Sequence, residues 1–425
     1  MERTVAVPAG TAGERAVQIL KLVVVLAALT AFNTMSIDMY LPAFPAMSRD
    51  LHASPGTVQL SIPAFLFGSA ASQVFYGPLA DRFGRKRPLF VGLWLYVIAS
   101  AGCALVHSGT GLLLWRVLMA LGGGASIVIS RAIVRDLYDT TDAARMLSLL
   151  MLVIGVSPIL APIAGGQLLL ITGWRGIFAV LTVFGLLSLY WTLAWLPESL
   201  PEERRVPRRF REMMAIYGEL LRTRSFLGYA LALGAVAGLF FAYIAAAPQF
   251  FIELHGISPQ AFGIYFGINA AGLIGAAQLN RRLLRHHSAR AILAAAFPLA
   301  SLTALLLTLA TVTGFGGFAV QALLIFCFVS IGGILFPNVM ALGLDPYASA
   351  AGSASALLGM VQYSLGALAG VFVGIFHNGS ALPMVLTMTG CALAGSLAFL
   401  YATREAELPA SCRKMPMDAD MDSME

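Results

Sequence analysis

Among 21 aspartates and glutamates, only Asp38 falls inside an apolar run, within residues 19–41. Thr30, Thr34 and Asp38 follow one another at intervals of four, with Asn33 beside them, so a helix would place them on one face. A carboxyl group in hydrocarbon is rare, costly when charged, and usually functional. Its natural chemistry is to take up and release a proton, because burial penalises the charged form while a nearby cation favours it. Arg116, in Leu114-Trp115-Arg116, is the only arginine well inside an apolar run and is the candidate cation. Two plainer roles stay open: Asp38 can mark the end of its helix, since Pro42 and Pro45 follow, and Arg116 can serve backbone carbonyls.

What must position these residues follows from composition. The chain of 425 residues is 59% apolar and 11% charged, against roughly 25% charged in soluble proteins. The apolar residues gather into runs of the length that crosses a ~30 Å hydrocarbon core. Twelve are expected, at 19–41, 58–79, 88–107, 111–134, 146–171, 176–196, 226–251, 260–280, 290–312, 315–337, 349–376 and 381–402. They read as helices because a barrel would show alternating segments of about ten residues. The first is read as a retained span, since no cleavage pattern follows it.

Basic residues sort these spans. Seven arginines lie between spans 6 and 7, four basic residues follow span 2 and four surround the connection after span 8, whereas the opposite connections hold only Arg49 and Arg175. The positive-inside bias then puts both termini in the cytoplasm, with the protein in a plasma (inner) membrane. The expected organisation is an N-terminal tail 1–18, a six-helix bundle 19–196, a cytoplasmic linker 197–225, a second bundle 226–402 and a tail 403–425. Asp81-Arg82 and Asn280-Arg281 end spans 2 and 8 at an offset of 199 residues, a faint repeat that suits a transporter with its site between two halves.

The string Gly77-Pro-Leu-Ala-Asp81-Arg82-Phe-Gly84-Arg85-Lys86-Arg87 carries a tight turn, with Gly84 free to turn and Asp81 able to accept charged hydrogen bonds. It resembles the signature loop of the major facilitator superfamily. More narrowly, Ile37-Asp38-Met39-Tyr40-Leu41-Pro42-Ala43, Arg131-Ala-Ile-Val-Arg135-Asp136, Leu196-Pro197-Glu198-Ser199, Phe336-Pro337-Asn338 and Ala354-Ser-Ala-Leu-Leu-Gly359 resemble the bicyclomycin and chloramphenicol resistance branch of its drug:proton antiporters. The resemblance runs from span 1 to span 12. It implies an all-α integral membrane protein of twelve helices in two pseudo-symmetric six-helix bundles. It also implies an inner gate of Gly77, Asp81, Arg82, Gly84, Arg85 and Asp136, in which Arg82 or Arg85 pairs with Asp136. Arg116 coincides with the arginine of the family's span-4 motif.

In span 5, Pro158 and Pro162 each remove a backbone donor and Gly165 and Gly166 permit close approach, so a kinked, tightly packed helix is expected. The family's antiporter motif has Gly-Pro where this chain has Ala161-Pro162, which leaves exchange against uniport open. Gly366, Gly370 and Gly374 form a small-residue stripe for packing. Thr30, Asn33, Thr34, Tyr243, Asn269, Gln362 and Tyr363 are candidates for lining a central cavity, or for joining helices.

Other chemistries find no support. The three lysines lack a phosphate-binding loop, so ATP does not energise this chain. The four cysteines have no metal or disulfide spacing, and no carboxylate, histidine or nucleophile set suggests an enzyme. The expectation is a proton-coupled exporter of amphipathic drug-like molecules working by alternating access, with no cofactor beyond the proton gradient and no nucleic-acid partner. The alternative is an exporter of a narrow metabolite class, such as an amino acid or its derivative.

Overall fold

A computed structural model describes residues 12–205 and 210–404. The expected tails therefore lie partly outside the described residues, as does 206–209 of the linker. Eleven helices among the described residues are long and apolar enough to cross a membrane. Spans 1 to 4 are Ala12–Asp38, Ser61–Phe83, Lys86–Leu105 and Gly109–Leu137. Spans 7 to 12 are Arg224–Pro248, Pro259–Leu283, Ala289–Thr313, Gly317–Leu344, Ala351–Ile375 and Leu382–Thr403. Between them Thr140–Trp195 runs 56 residues, about 84 Å at 1.5 Å per residue and far beyond one crossing. Gly173, at φ +68°, leaves helical geometry between the expected ends of spans 5 and 6, and so divides the run into two. Twelve crossings result.

Local chemistry sets several ends. Ser108, Ser258 and Ser288 each accept from the backbone N–H three residues on, capping spans 4, 8 and 9. Gly314 closes span 9 in the left-handed conformation. Span 1 begins earlier than expected, at Ala12, before the apolar run itself. Ile171, Leu105 and Leu397 are 80%, 72% and 68% exposed, as lipid-facing side chains must be and as water would not favour.

Contacts repeat between the halves. Span 4 packs on spans 1, 2 and 3, and span 10 packs on spans 7, 8 and 9. Across the halves, span 2 meets span 11 and span 5 meets span 8. Small residues make this seam tight: a methyl group added at Gly374 would lie 2.8 Å from Leu60, at Gly370 3.3 Å from Pro63, and at Gly263 2.8 Å from the Ile163 backbone. These contacts belong to the end that carries Asp50, the far end. Toward the opposite, basic end the seam parts, and Gly77 and Gly352 have nothing within 4 Å. A cavity of about 150 Å³ opens there, lined by Gln73, Arg135, Tyr217 and Ser353 among others. The linker supplies its cover, the helix Phe210–Arg222, which buries Met213, Tyr217 and Leu220 and contacts span 11.

Candidate functional site

The turn between spans 2 and 3 gathers the basic-end cluster. Gly84 has φ +85°, and a Cβ there would meet the Glu198 carboxylate at 2.6 Å, so only glycine fits. Arg85 Nε donates to Asp136 Oδ2 at 2.8 Å and Nη1 to Asp81 Oδ1 at 2.6 Å, tying the ends of spans 2 and 4 together. Burial opposes the Arg85 charge, but the hydrogen bonds to Asp136 and Asp81 outweigh it and hold the group above its ordinary pKa. Of the two arginines that could pair with Asp136, the structure selects Arg85; Arg82 lies over the Phe83 ring, 5.1 Å from its centroid. Asp136 also accepts from Ser199 at 3.2 Å. Gly77 lines the adjacent cavity.

Asp38 is the last residue of span 1 yet only 4% exposed. Asp38, Arg85 and Arg116 are the only charged side chains buried among the described residues. Arg116 is wholly buried: Nη1 donates to the Ser36 carbonyl at 2.8 Å and Nε to the Ser61 carbonyl at 3.5 Å. Its guanidinium lies 4.3 Å from the Tyr40 ring and 4.4 Å from the Phe65 ring. No ion pair joins it to Asp38 among the described residues. The anticipated attraction is therefore not a direct contact in this conformation. The physical reason is that the Ser36 carbonyl lies in the last turn of span 1, at the negative end of its dipole, and Arg116 answers it while its Nε reaches the Ser61 carbonyl that opens span 2.

The cavity candidates form two cross-helix pairs. Asn33 of span 1 donates to the Tyr363 hydroxyl of span 11 at 3.3 Å, across the two halves. Asn269 of span 8 donates to the Tyr243 hydroxyl of span 7 at 2.7 Å, and Tyr243 stacks on Phe266 at 5.7 Å. Thr30 turns back to the Leu26 carbonyl at 2.7 Å, while Thr34 and Gln362 are half-buried.

In span 5, helical backbone geometry continues through Pro158 and Pro162 and is left at Gly173. Neighbours approach the segment closely: Gly165 lies against the Met39 carbonyl of the connection after span 1, and a Cβ on Gly166 would stand 2.9 Å from the Pro259 carbonyl of span 8. Ala161 is buried in the same packing.

Three relationships escaped the sequence. Glu198 accepts from the Arg85 and Lys86 backbone N–H groups at 2.8 and 3.1 Å. Gln59 donates to Gln249 at 2.9 Å across the halves at the far end, and Gln249 donates to the Ser380 carbonyl at 3.3 Å. Asn338 donates to Asn280 at 2.7 Å, a neutral pair where the first half has Asp136 and Asp81. The offset linking Asp81 to Asn280 was the signal for the last; the glutamines carried none.

No group of three or more His, Cys, Asp or Glu side chains is placed to hold a metal among the described residues. Residues 26–371 match the Major Facilitator Superfamily. The chain is similar to an uncharacterized MFS-type transporter, YdgK, of Bacillus subtilis, at 37% identity with 91% of this chain and 96% of that one covered. It is similar to a bicyclomycin resistance protein homolog of Haemophilus influenzae at 30% identity, with 90% and 96% covered. In fold it is similar to a D-xylose-proton symporter, with a TM-score of 0.71 at 16% identity over 92% of this chain and 98% of that one. The chain belongs to the Major Facilitator Superfamily, and is a multi-pass, secondary active transporter of small molecules.

Proposed function

We propose that the protein exports amphipathic drug-like molecules in exchange for protons, with the basic end and both termini in the cytoplasm of a cell bounded by its plasma (inner) membrane. The observation that carries this reading is Asp38: a carboxyl at the end of span 1, buried and without an ion-pair partner among the described residues. Such a carboxyl gains most from a proton or from a cationic ligand, and the two compete. Arg116 then acts as a fixed post that holds the end of span 1, and so the Asp38 backbone, in place.

The closed far end and the parted basic end support an alternating-access cycle in which bundles 19–196 and 226–402, joined by the linker 197–225, rock about the seam of spans 2, 5, 8 and 11. Arg85 would hold or release Asp136 as the basic end opens and closes. The bicyclomycin resistance homolog's name supports the drug class. An inward-negative potential of 100 mV supplies about 2.3 kcal/mol for each proton charge carried in.

The test is efflux of a drug panel from cells overproducing the protein, with and without a protonophore, repeated in Asp38→Asn. Proton-driven efflux disappears in the variant. Full antiport by Asp38→Asn in vesicles would overturn the assignment, and release of a single metabolite without drug efflux would favour the narrower exporter.

A further inference from the structure

We infer that the cavity at the basic end is a binding site for a neutral carboxamide group of the transported molecule, with Gln73 as the residue that recognises it. This rests on the transport reading and names a chemical class for its substrate.

Three elements contribute polar side chains to the lining of this one cavity: Gln73 from span 2, Ser353 from span 11 and Tyr217 from the linker helix. Gln73 is 7% exposed and Tyr217 5%, so each is more than nine-tenths buried. Gln73 Oε1 reaches across to span 11, where a Cβ on Gly359 would stand 3.2 Å from it. Yet the Gln73 amide and the Tyr217 and Ser353 hydroxyls make no hydrogen bond among the described residues. They are not sealed in protein either, as the Ser126 and Tyr138 hydroxyls are. Buried polar groups are nearly always bonded, and those that line a cavity without a protein partner are the ones a ligand can use.

The rest of the lining decides the ligand's chemistry. Val128, Ile129, Ala132, Ala356 and Met213 supply apolar wall, which suits an amphipathic molecule and not one polar all round. The charges cancel: Asp81, Arg85 and Arg135 line the cavity, and Arg85 also holds Asp136, so two acids stand with two arginines. A charged group gains little there. What the site offers instead is one amide, with donor and acceptor side by side, and two hydroxyls that can take either role. Another amide matches it in both roles at once, through two parallel hydrogen bonds.

The arrangement also separates two tasks. Asp38 is not among the residues that line this cavity, so recognition of the amide here leaves that carboxyl free for its proton. Gln73 belongs to the first half, Ser353 to the second and Tyr217 to the linker between them. Movement of the halves past each other therefore changes the site itself.

The test uses the purified full chain in phosphatidylcholine nanodiscs and three probes of similar shape: benzamide, methyl benzoate and benzoate. Saturation-transfer NMR, read against empty nanodiscs, gives each dissociation constant. Wild type binds benzamide about ten-fold more tightly than the ester or the anion, the scale of a hydrogen bond or two. Gln73→Leu removes that preference and leaves the ester's affinity unchanged. Tyr217→Phe, which takes away only a hydroxyl, lowers the preference about three-fold. No binding of benzamide, equal binding of amide and ester, or tighter binding of benzoate overturns the proposal. So does a preference that survives Gln73→Leu; where that variant no longer binds the ester, an undiminished preference in Tyr217→Phe overturns it instead. Binding is read without a proton gradient, so an amide preference alongside failure of gradient-driven export would sink the transport reading and leave the binding site standing.

Discussion

Lys86 and Glu198 each secure the helix on which the other depends. Glu198 accepts from the N–H groups that open span 3, and the Lys86 ammonium donates to the Leu193 and Leu196 carbonyls that close span 6, at 3.1 and 2.8 Å. An anion at a helix start and a cation at a helix end are both favoured by the peptide dipoles. Replacing Glu198 by Gln keeps the shape and removes the charge. The variant should lose about 1 kcal/mol of stability, seen as a lower thermal midpoint in detergent.

Arg85 joins two carboxylates that would otherwise face each other. Arg85→Ala leaves Asp81 and Asp136 without their shared cation, and transport should fall by about ten-fold or more, since a charge-assisted contact is lost twice over. Adding Asp136→Asn should restore part of the rate by removing one uncompensated charge. Uptake into everted vesicles measures both.

At the far end, Gln59 and Gln249 hold the two halves together through neutral amides. In a chain whose four cysteines are replaced by alanine, Gln59→Cys with Gln249→Cys, bridged by a short cleavable thiol reagent, should stop transport. Cleaving the bridge should restore it. Undiminished transport by the bridged protein would mean that this end need not part.

Asp50, in the connection between spans 1 and 2, accepts from Arg175 and from Trp174 Nε1, and these hydrogen bonds, Arg175 first, hold its carboxyl below the ordinary aspartate range. A lowered pKa means that the folded chain binds fewer protons than the unfolded chain, so the contribution is complete above the ordinary range and fades as pH falls through the lowered one. Arg175→Gln should remove this part of the acid dependence. Thermal midpoints across an acid series would show the flatter profile.

Much of the frame was legible beforehand. Hydrocarbon admits only backbone that satisfies itself, so length and hydropathy reveal helices directly, and charge sorting orders them. The Asp81–Arg85 contact was within reach for the same reason: an i, i+4 spacing is local. The pairing of Arg85 rather than Arg82 with Asp136 was not, because it depends on how the Gly84 turn aims two neighbouring side chains.

The sequence by itself pointed to a chain that crosses a membrane twelve times and to one acid, Asp38, inside an apolar run. Only the tertiary structure decided what that acid faces. Arg116 turned to the Ser36 and Ser61 carbonyls, leaving Asp38 buried without an ion-pair partner among the described residues, while Gln59 met Gln249 and Asn33 met Tyr363 across the halves. These contacts join residues far apart in the chain, and periodicity reports which side of a helix a residue occupies, not which helix comes to meet it.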